Sequence, residues 1–327
     1  MTLKEARIRS ALAGEKTEVQ PFSLWTHFPE IDMDPQALAE HTYRFYKDFD
    51  LDFIKNMPNG MFSVEDWGCA CDYSAIPKGG VAEVTRFAVE SSKDWNFLSR
   101  PKPGVGAMGR ELKSLRMLAE MTKGEVPIVA TIFSPVTTAE KLSGIPLADS
   151  ALENPEGFKD ALGAIADVTA EFALQAVEAG CAGVYFASQV SSYQASTRDF
   201  YREFGVPFDR DVLTALPGES WFNVMHLHGD DIMFDLTKDY PVQAISWHVW
   251  ETAPSLDEFL RQAPNRCIVG GLRRFRITAG DREALDQDIR LTLEATGSRK
   301  VILAPGCVIR YPFDTATLRY VRDSIRR

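Results

Sequence analysis

The stretch "FNVMHLHGDD", residues 222 to 231, runs from an apolar segment through two histidines to a glycine and two aspartates. Its first residues have the apolar, β-prone character of a buried strand, and Gly229 is the residue a strand-to-helix turn asks for. Asp230 or Asp231 then stands where a cap for the next helix belongs, which makes the stretch one strand-turn-helix unit.

Seven more runs of this kind flank it. They are "PFSLW" (21 to 25), "LDFIKNM" (51 to 57), "PIVATIF" (127 to 133), "AGVYFAS" (182 to 188), "VQAISWHV" (242 to 249), "CIVGGL" (267 to 272) and "VILAPGC" (301 to 307). Helical segments lie between them, beginning at Asp34, Gly109, Pro155 and Asp281, and several open with Asp or Pro and close with Gly. Eight runs alternating with helices is the count of a TIM (β/α)8 barrel, so an α/β single domain over residues 1–327 is expected. A doubly wound sheet is the competing arrangement.

About 70 residues separate the second run from the third, far more than one helix needs. The stretch from about 58 to 108, with Trp67 and Trp95, is expected as an insertion at the C-terminal face, a lid or substrate loop. The plainer reading is a surface excursion packed on itself or on a partner subunit.

Composition narrows the function. A net charge of -10 without a dense Lys/Arg run argues against nucleic-acid binding. Five scattered cysteines make no disulfide framework and fit a reducing, cytoplasmic setting. The opening "MTLKEARIRSALAGEK" has no apolar signal region, and no run of 18 apolar residues occurs, so neither secretion nor membrane spanning is expected.

Barrel active sites are built where strands end, and the scarce reactive residues fall there. His27 follows the first run, His226 and His228 end the fifth, His248 ends the sixth and Cys307 ends the eighth; only His41 sits in a helix. Side chains two apart on a strand share a face, so His226 and His228 point the same way. With Cys307 they make a three-ligand nitrogen and sulfur set for zinc, leaving a fourth position open. The alternative is two core histidines and a small buried cysteine. Asp230 either caps a helix or orients a histidine as a second-layer carboxylate. His248 and His27 are candidate acid/base or substrate groups, and Arg273, Arg274 and Arg310 are candidate clamps for an anionic group. Tyr185 points toward either the core or the mouth. "CAC" at 69 to 71 lacks a second cysteine pair and makes a poor zinc knuckle.

The segments "EARIRSALAGEKTEVQPFSLW", "AGVYFASQ", "FNVMHLHGDD", "IVGGLRR" and "LAPGCVIRYPFDTATLRYVRD" together resemble the uroporphyrinogen decarboxylase superfamily over nearly the whole chain. The resemblance implies a TIM barrel and a homodimer. True decarboxylases of that superfamily carry an arginine-rich "MRQAGRY"-like segment after the first strand, where this chain has "LWTHFPEID", and a "GHG"-like motif where it has "PGC". The other branch, cobamide-dependent methyltransferases, binds zinc through HxC and a distant Cys. Here His226 matches the histidine, Cys307 the distant cysteine, and His228 replaces the first cysteine. That branch implies methyl transfer between a corrinoid, brought by a corrinoid protein, and a small-molecule thiol. A metal-free decarboxylase acting on a carboxylated tetrapyrrole or a smaller acid is the alternative. The exchange of a thiolate for His228 raises the charge of a zinc site to about +1 from about 0 and makes it more Lewis acidic.

Overall fold

The computed structural model describes residues 1–78 and 82–327. In chain order its strands are β1 (Ile54–Lys55), β2 (Ala70–Asp72), β3 (Glu83–Arg86), β4 (Ile128–Phe133), β5 (Gly183–Ser188), β6 (Val224–Leu227), β7 (Ala244–Ser246), β8 (Cys267–Leu272) and β9 (Val301–Pro305). β2 and β3 form an antiparallel hairpin, and the other seven form one curled parallel sheet in the order β1-β4-β5-β6-β7-β8-β9.

Runs that are apolar throughout are what a parallel sheet covered on both faces requires. One face carries Phe53, Val129, Tyr185, Val224, Ala244, Val269 and Ile302, which meet inside the curl. The other packs on helices such as Gly106–Thr122 and Pro155–Glu178, through Leu112, Leu115, Phe158 and Leu162. Each such buried side chain contributes about 1.5–3 kcal/mol relative to exposure.

Helix starts follow the capping residues. Asp34 accepts from the amides of Gln36 and Ala37, and Asp281 accepts from that of Ala284. The helix expected from Gly109 begins three residues earlier, at Gly106, because its cap lies far away in sequence: both Asp66 carboxylate oxygens take helix amides, from Ala107 and Met108, at 2.8 Å. No helix among the described residues is long and apolar enough to cross a membrane.

Two expectations change. Seven of the eight runs are strands of the sheet, and the first, "PFSLW", is not a regular strand. It touches β9 through the isolated parallel bridge Phe22↔Leu303, with a second at Thr26↔Ile309. Beside β1 one backbone bond remains, from Asp52 N to Phe22 O at 2.9 Å, and side chains supply the rest: the Phe22 amide donates to the Asp52 carboxylate at 2.9 Å, and Ser23 Oγ donates to Phe53 O at 2.7 Å. The second change is at Asp230 and Asp231, which cap no helix. The short helix Phe234–Thr237 starts after Met233 without a side-chain cap. Asp231 instead takes a left-handed conformation, φ 51°, and its amide donates to Thr252 Oγ1.

The long connection after β1 contains the β2–β3 hairpin, and the expected lid of residues 58–108 includes 79–81, which lie outside the described residues. Trp95 is buried against Phe158 and donates to Ser150 Oγ at 2.8 Å; Trp67 is buried as well. This part of the excursion is packed onto the helices that follow β4.

Candidate metal centre

Strand register sets the first two donors. His226 on β6 pairs with Ala187 of β5 and Ser246 of β7, and it shares the inward face of Val224. His228, two residues on, therefore follows it to the same side. His248 lies two residues beyond the end of β7, and Cys307 two beyond the end of β9. The four residues each offer a ligand atom, and these atoms all lie within 4.8 Å of one another. Cys307 Sγ is 3.6 Å from His228 Nδ1, and the His228 and His248 rings meet edge-on at 5.2 Å.

Gly306 permits this meeting of β7 and β9. A Cβ there would stand 3.0 Å from Trp247 O and 3.1 Å from His248 Cα, so the chain passes His248 without room for a side chain. Trp247 holds that backbone in place by stacking on Phe259 at 4.8 Å and donating to Pro254 O at 3.1 Å.

Behind the donors lies a second layer. Ser246 Oγ is 3.3 Å from His226 Nδ1 and accepts from Tyr185 OH at 2.8 Å. Tyr185 is thus an interior residue, 1% exposed, that reaches the site through Ser246. Asp230 is exposed, with Oδ1 4.0 Å from His248 Nδ1. His27 stands outside the four-residue group.

Burial dominates the electrostatics. It pushes His226 well below the usual histidine range, helped by the neighbouring His228, His248, Lys55 and Arg274. His248 falls to about 4 through burial, His228 and Arg274, and His228 is lowered by burial, Arg274 and Lys141. All three imidazoles are therefore neutral near pH 7, the form that ligates metals. Burial raises the Cys307 thiol, opposed by Arg274 and Lys55.

The arginines separate. Arg273 is committed to Asp288, which it shares with Arg276. Arg274 acts on all four cluster residues, and its Nε is buried without a partner among the described residues. Arg310 is exposed; its guanidinium and that of Arg274 lie 6.0 and 4.8 Å from the Phe275 ring. A cavity of about 530 Å³ opens elsewhere, between Glu140–Ala148 and Val190–Phe200, and no cluster residue lines it.

Sequence reasoning passed over Lys55, Lys141 and Ser246, and placed His248 outside the donor set. Lys55 had a visible signal: "LDFIKNM" carries two charges three residues apart, which on a strand must face opposite ways. Asp52 faces the terminal helices, where Arg7 and Arg326 pair with it, and Lys55 shares the inward face of Phe53 and Met57.

Comparisons with known proteins bear on the fold and the family. The chain is 22% identical over 151 residues to the methylcobamide:CoM methyltransferase MtbA of Methanosarcina mazei and 21% identical over 147 residues to that of Methanosarcina acetivorans. Each alignment spans 45% of this chain and 43% of the relative. Among solved structures, a methyltransferase from Methanosarcina mazei superposes with a TM-score of 0.86 at 19% identity, over 99% of this chain and 98% of that one. A B12-independent methionine synthase from Shewanella sp. W3-18-1 follows with a TM-score of 0.61 at 12% identity, over 94% and 91%. The fold is thus shared across these enzymes. The family model described as uroporphyrinogen decarboxylase (URO-D) matches residues 7–327, so the chain belongs to the uroporphyrinogen decarboxylase family.

Proposed function

We propose that this chain is a methyltransferase that holds zinc through His226, His228 and Cys307 and moves a methyl group between a corrinoid and a thiol or similar small-molecule acceptor. The observation that carries the reading is the cluster of three imidazoles and one thiol with donor atoms within 4.8 Å of one another. Zn–S of about 2.3 Å and Zn–N of about 2.0–2.1 Å at a tetrahedral angle put sulfur and nitrogen about 3.6 Å apart. The Cys307 Sγ to His228 Nδ1 distance is 3.6 Å. His248 Nε2 is buried without a partner among the described residues, a polar atom that a ligand in this pocket can satisfy. Nitrogen and sulfur donors suit zinc better than magnesium or calcium. The methylcobamide named for the curated relatives supports a corrinoid donor, and a corrinoid protein is the carrier this reading expects.

Zinc held there supplies Lewis acidity that lowers the pKa of a bound thiol. The protein's own residues set up the rest. A metal bound at His226 Nε2 would leave its Nδ1–H to donate to Ser246 Oγ, 3.3 Å away, and Tyr185 OH fixes that serine, so the ring would keep its orientation. His226, His228 and Cys307 would hold the metal and leave a fourth position for the acceptor, beside His248, whose Nδ1 lies 4.0 Å from Asp230 Oδ1. His248, neutral at pH 7 and inside the cluster, is the candidate base for the acceptor's proton; His27, also neutral, stands outside the cluster. Arg274 and Arg310 hold an anionic part of the substrate at the rim. Residues Pro21–Thr26 act in this reading as the eighth stave that closes the barrel.

Metal analysis of protein purified without chelator tests the proposal, with about one zinc per chain expected. His228→Ala with Cys307→Ala should abolish zinc retention, and methylcobalamin consumption in the presence of a thiol should vanish with it. Protein without stoichiometric zinc, or zinc retained by the double variant, sinks the idea. The decarboxylase alternative is the less favoured; chelator-insensitive release of carbon dioxide from a carboxylated substrate would revive it.

A further inference from the structure

The cavity of about 530 Å³ lies outside the donor cluster, and its size is that of a site for a small organic molecule. One wall runs from Glu140 to Ala148, where the helix Pro135–Leu142 ends and the helix Leu147–Glu153 begins. The other is the loop after β5, from Val190 to Thr197, with Phe200 of the helix Arg198–Phe204. Both walls follow the C-terminal ends of parallel strands, the face on which the donors also stand.

Hydrogen bonds hold both walls in place. Gly144 N donates to Val89 O at 2.8 Å and Ser143 Oγ to Ile145 O at 2.8 Å, so the excursion after β1 buttresses the first wall. In the second, Ser196 Oγ donates to Val190 O at 2.8 Å and closes the loop on itself. Ser192 Oγ donates to Asp230 O at 2.6 Å and Tyr193 N to Asp231 O at 3.0 Å, which ties the same loop to the turn after His228.

Glu140 is the only charged side chain among the described lining residues, and no ion pair or side-chain hydrogen bond engages it among the described residues. Lys141, the next residue, turns away from it on the helix, to Gly60 O at 3.3 Å and the Phe133 ring at 3.7 Å. Arg198, just past Thr197, is taken by Asp235 at 2.7 Å. The remaining lining is mostly apolar, from Ile145 and Leu147 to the rings of Tyr193 and Phe200. A carboxylate and an aromatic face attract the same sign of charge, and apolar walls attract the body that carries it. An anion would meet Glu140 with nothing on the walls to offset it.

We propose that this cavity is a second binding site, for a small organic cation whose ammonium group meets Glu140 and the rings of Tyr193 and Phe200 while its apolar body rests on Ile145 and Leu147. The site stands independently of the metal reading, because no donor residue lines it.

Ligand-observed NMR titration of the purified full chain tests this with 2-phenylethylammonium, 2-phenylethanol and 3-phenylpropionate, which share a ring and differ in charge. Wild type should bind the ammonium about fivefold more tightly than the alcohol, the scale of one exposed ion pair, and the carboxylate more weakly than either. Glu140→Gln should bring the ammonium to the level of the alcohol and leave the alcohol unchanged. Ala148→Trp, which puts a large side chain into the lining, should remove both. His228→Ala with Cys307→Ala should leave all three affinities as they are, and thermal melts report whether each variant is folded. No binding of the ammonium, a preference for the carboxylate, wild-type preference in Glu140→Gln, or unchanged binding by folded Ala148→Trp overturns the proposal. Loss of the ammonium in the double variant would place the ligand at the metal donors and overturns it equally.

Discussion

Replacing Lys55 by methionine should make the protein more stable at neutral pH, although it removes a hydrogen bond to Met57 and two cation–π contacts, with Tyr185 and Trp25. An unfolded lysine titrates at 10.5, and in the fold burial brings it to about 7. Between these values the unfolded state binds the extra proton, so the folded state loses stability as pH falls from about 10.5 to about 7, and the deficit is constant below that. The full deficit is about 5 kcal/mol at 1.36 kcal/mol per pH unit, reduced to about 2–4 kcal/mol by relaxation and by losing the ring contacts. Methionine is unbranched and apolar, and it can follow the path of the lysine stem. With an unfolding entropy of about 2.1 cal/mol/K per residue, the gain amounts to a rise in Tm of about 3–6 °C. Calorimetric melts of wild type and Lys55→Met at pH 6.5, 8 and 10 measure it, and the difference should shrink toward zero at the highest pH. A variant that melts lower than wild type at pH 6.5, or a gain independent of pH, refutes the account of Lys55 as an uncompensated buried cation.

Three further outcomes follow from other contacts. Gly306→Ala should cut metal retention about tenfold or more while far-UV circular dichroism stays native, because its methyl would press on Trp247 O and His248 Cα; unchanged metal content would show that these backbones yield. Asp52→Asn should cost about 2–4 kcal/mol in urea unfolding, since the buried carboxylate serves Arg7 and Arg326 at 3.0 Å each and the Phe22 amide at 2.9 Å; a loss under about 0.5 kcal/mol would contradict it. Asp209 is held by Tyr201 OH and Tyr240 OH at 2.5 and 2.9 Å, and burial raises it to about 7. The unfolded carboxyl ionises at 3.8, so stability falls from about pH 4 to 7 and is flat above. Asp209→Asn keeps an acceptor for both hydroxyls and should gain about 1–3 kcal/mol at pH 8, fading toward pH 4; destabilisation at pH 8 larger than at pH 4 would reject this.

The sheet was legible in sequence because its strands are buried on both faces, which leaves runs such as "PIVATIF" and "CIVGGL" with hardly a polar interruption. The first run has the same composition and is no regular strand: its backbone bonds to Asp52 and to β9 are few, and the side chains of Asp52 and Ser23 make others that a full ladder would make. Nothing in local composition distinguishes those two situations. His226, His228 and Cys307 were found because period two and strand-end position are local properties. His248 joined them only when Gly306 brought β9 against the chain after β7, a contact between residues far apart in sequence. Asp66, which caps a helix beginning 40 positions later, was hidden for the same reason. Lys55 was passed over although its spacing from Asp52 announced an inward charge.

The bridges from Phe22 and Thr26 to β9 have a bearing on how the protein folds. Thr26 Oγ1 donates to Ile309 O across 283 positions of chain. Contacts of such separation form late, after loop closure has been offset by nearer pairings such as β4 with β5. The segment bearing His27 therefore finds its place near the end of folding. Cys307 does not wait for it, because β9 pairs with β8, as at Ile268↔Val301, and Gly306 N donates to Leu272 O. The clustered donors should accordingly assemble with β6 to β9 first, and the docking of Phe22 and Thr26 on β9 should mark the last step.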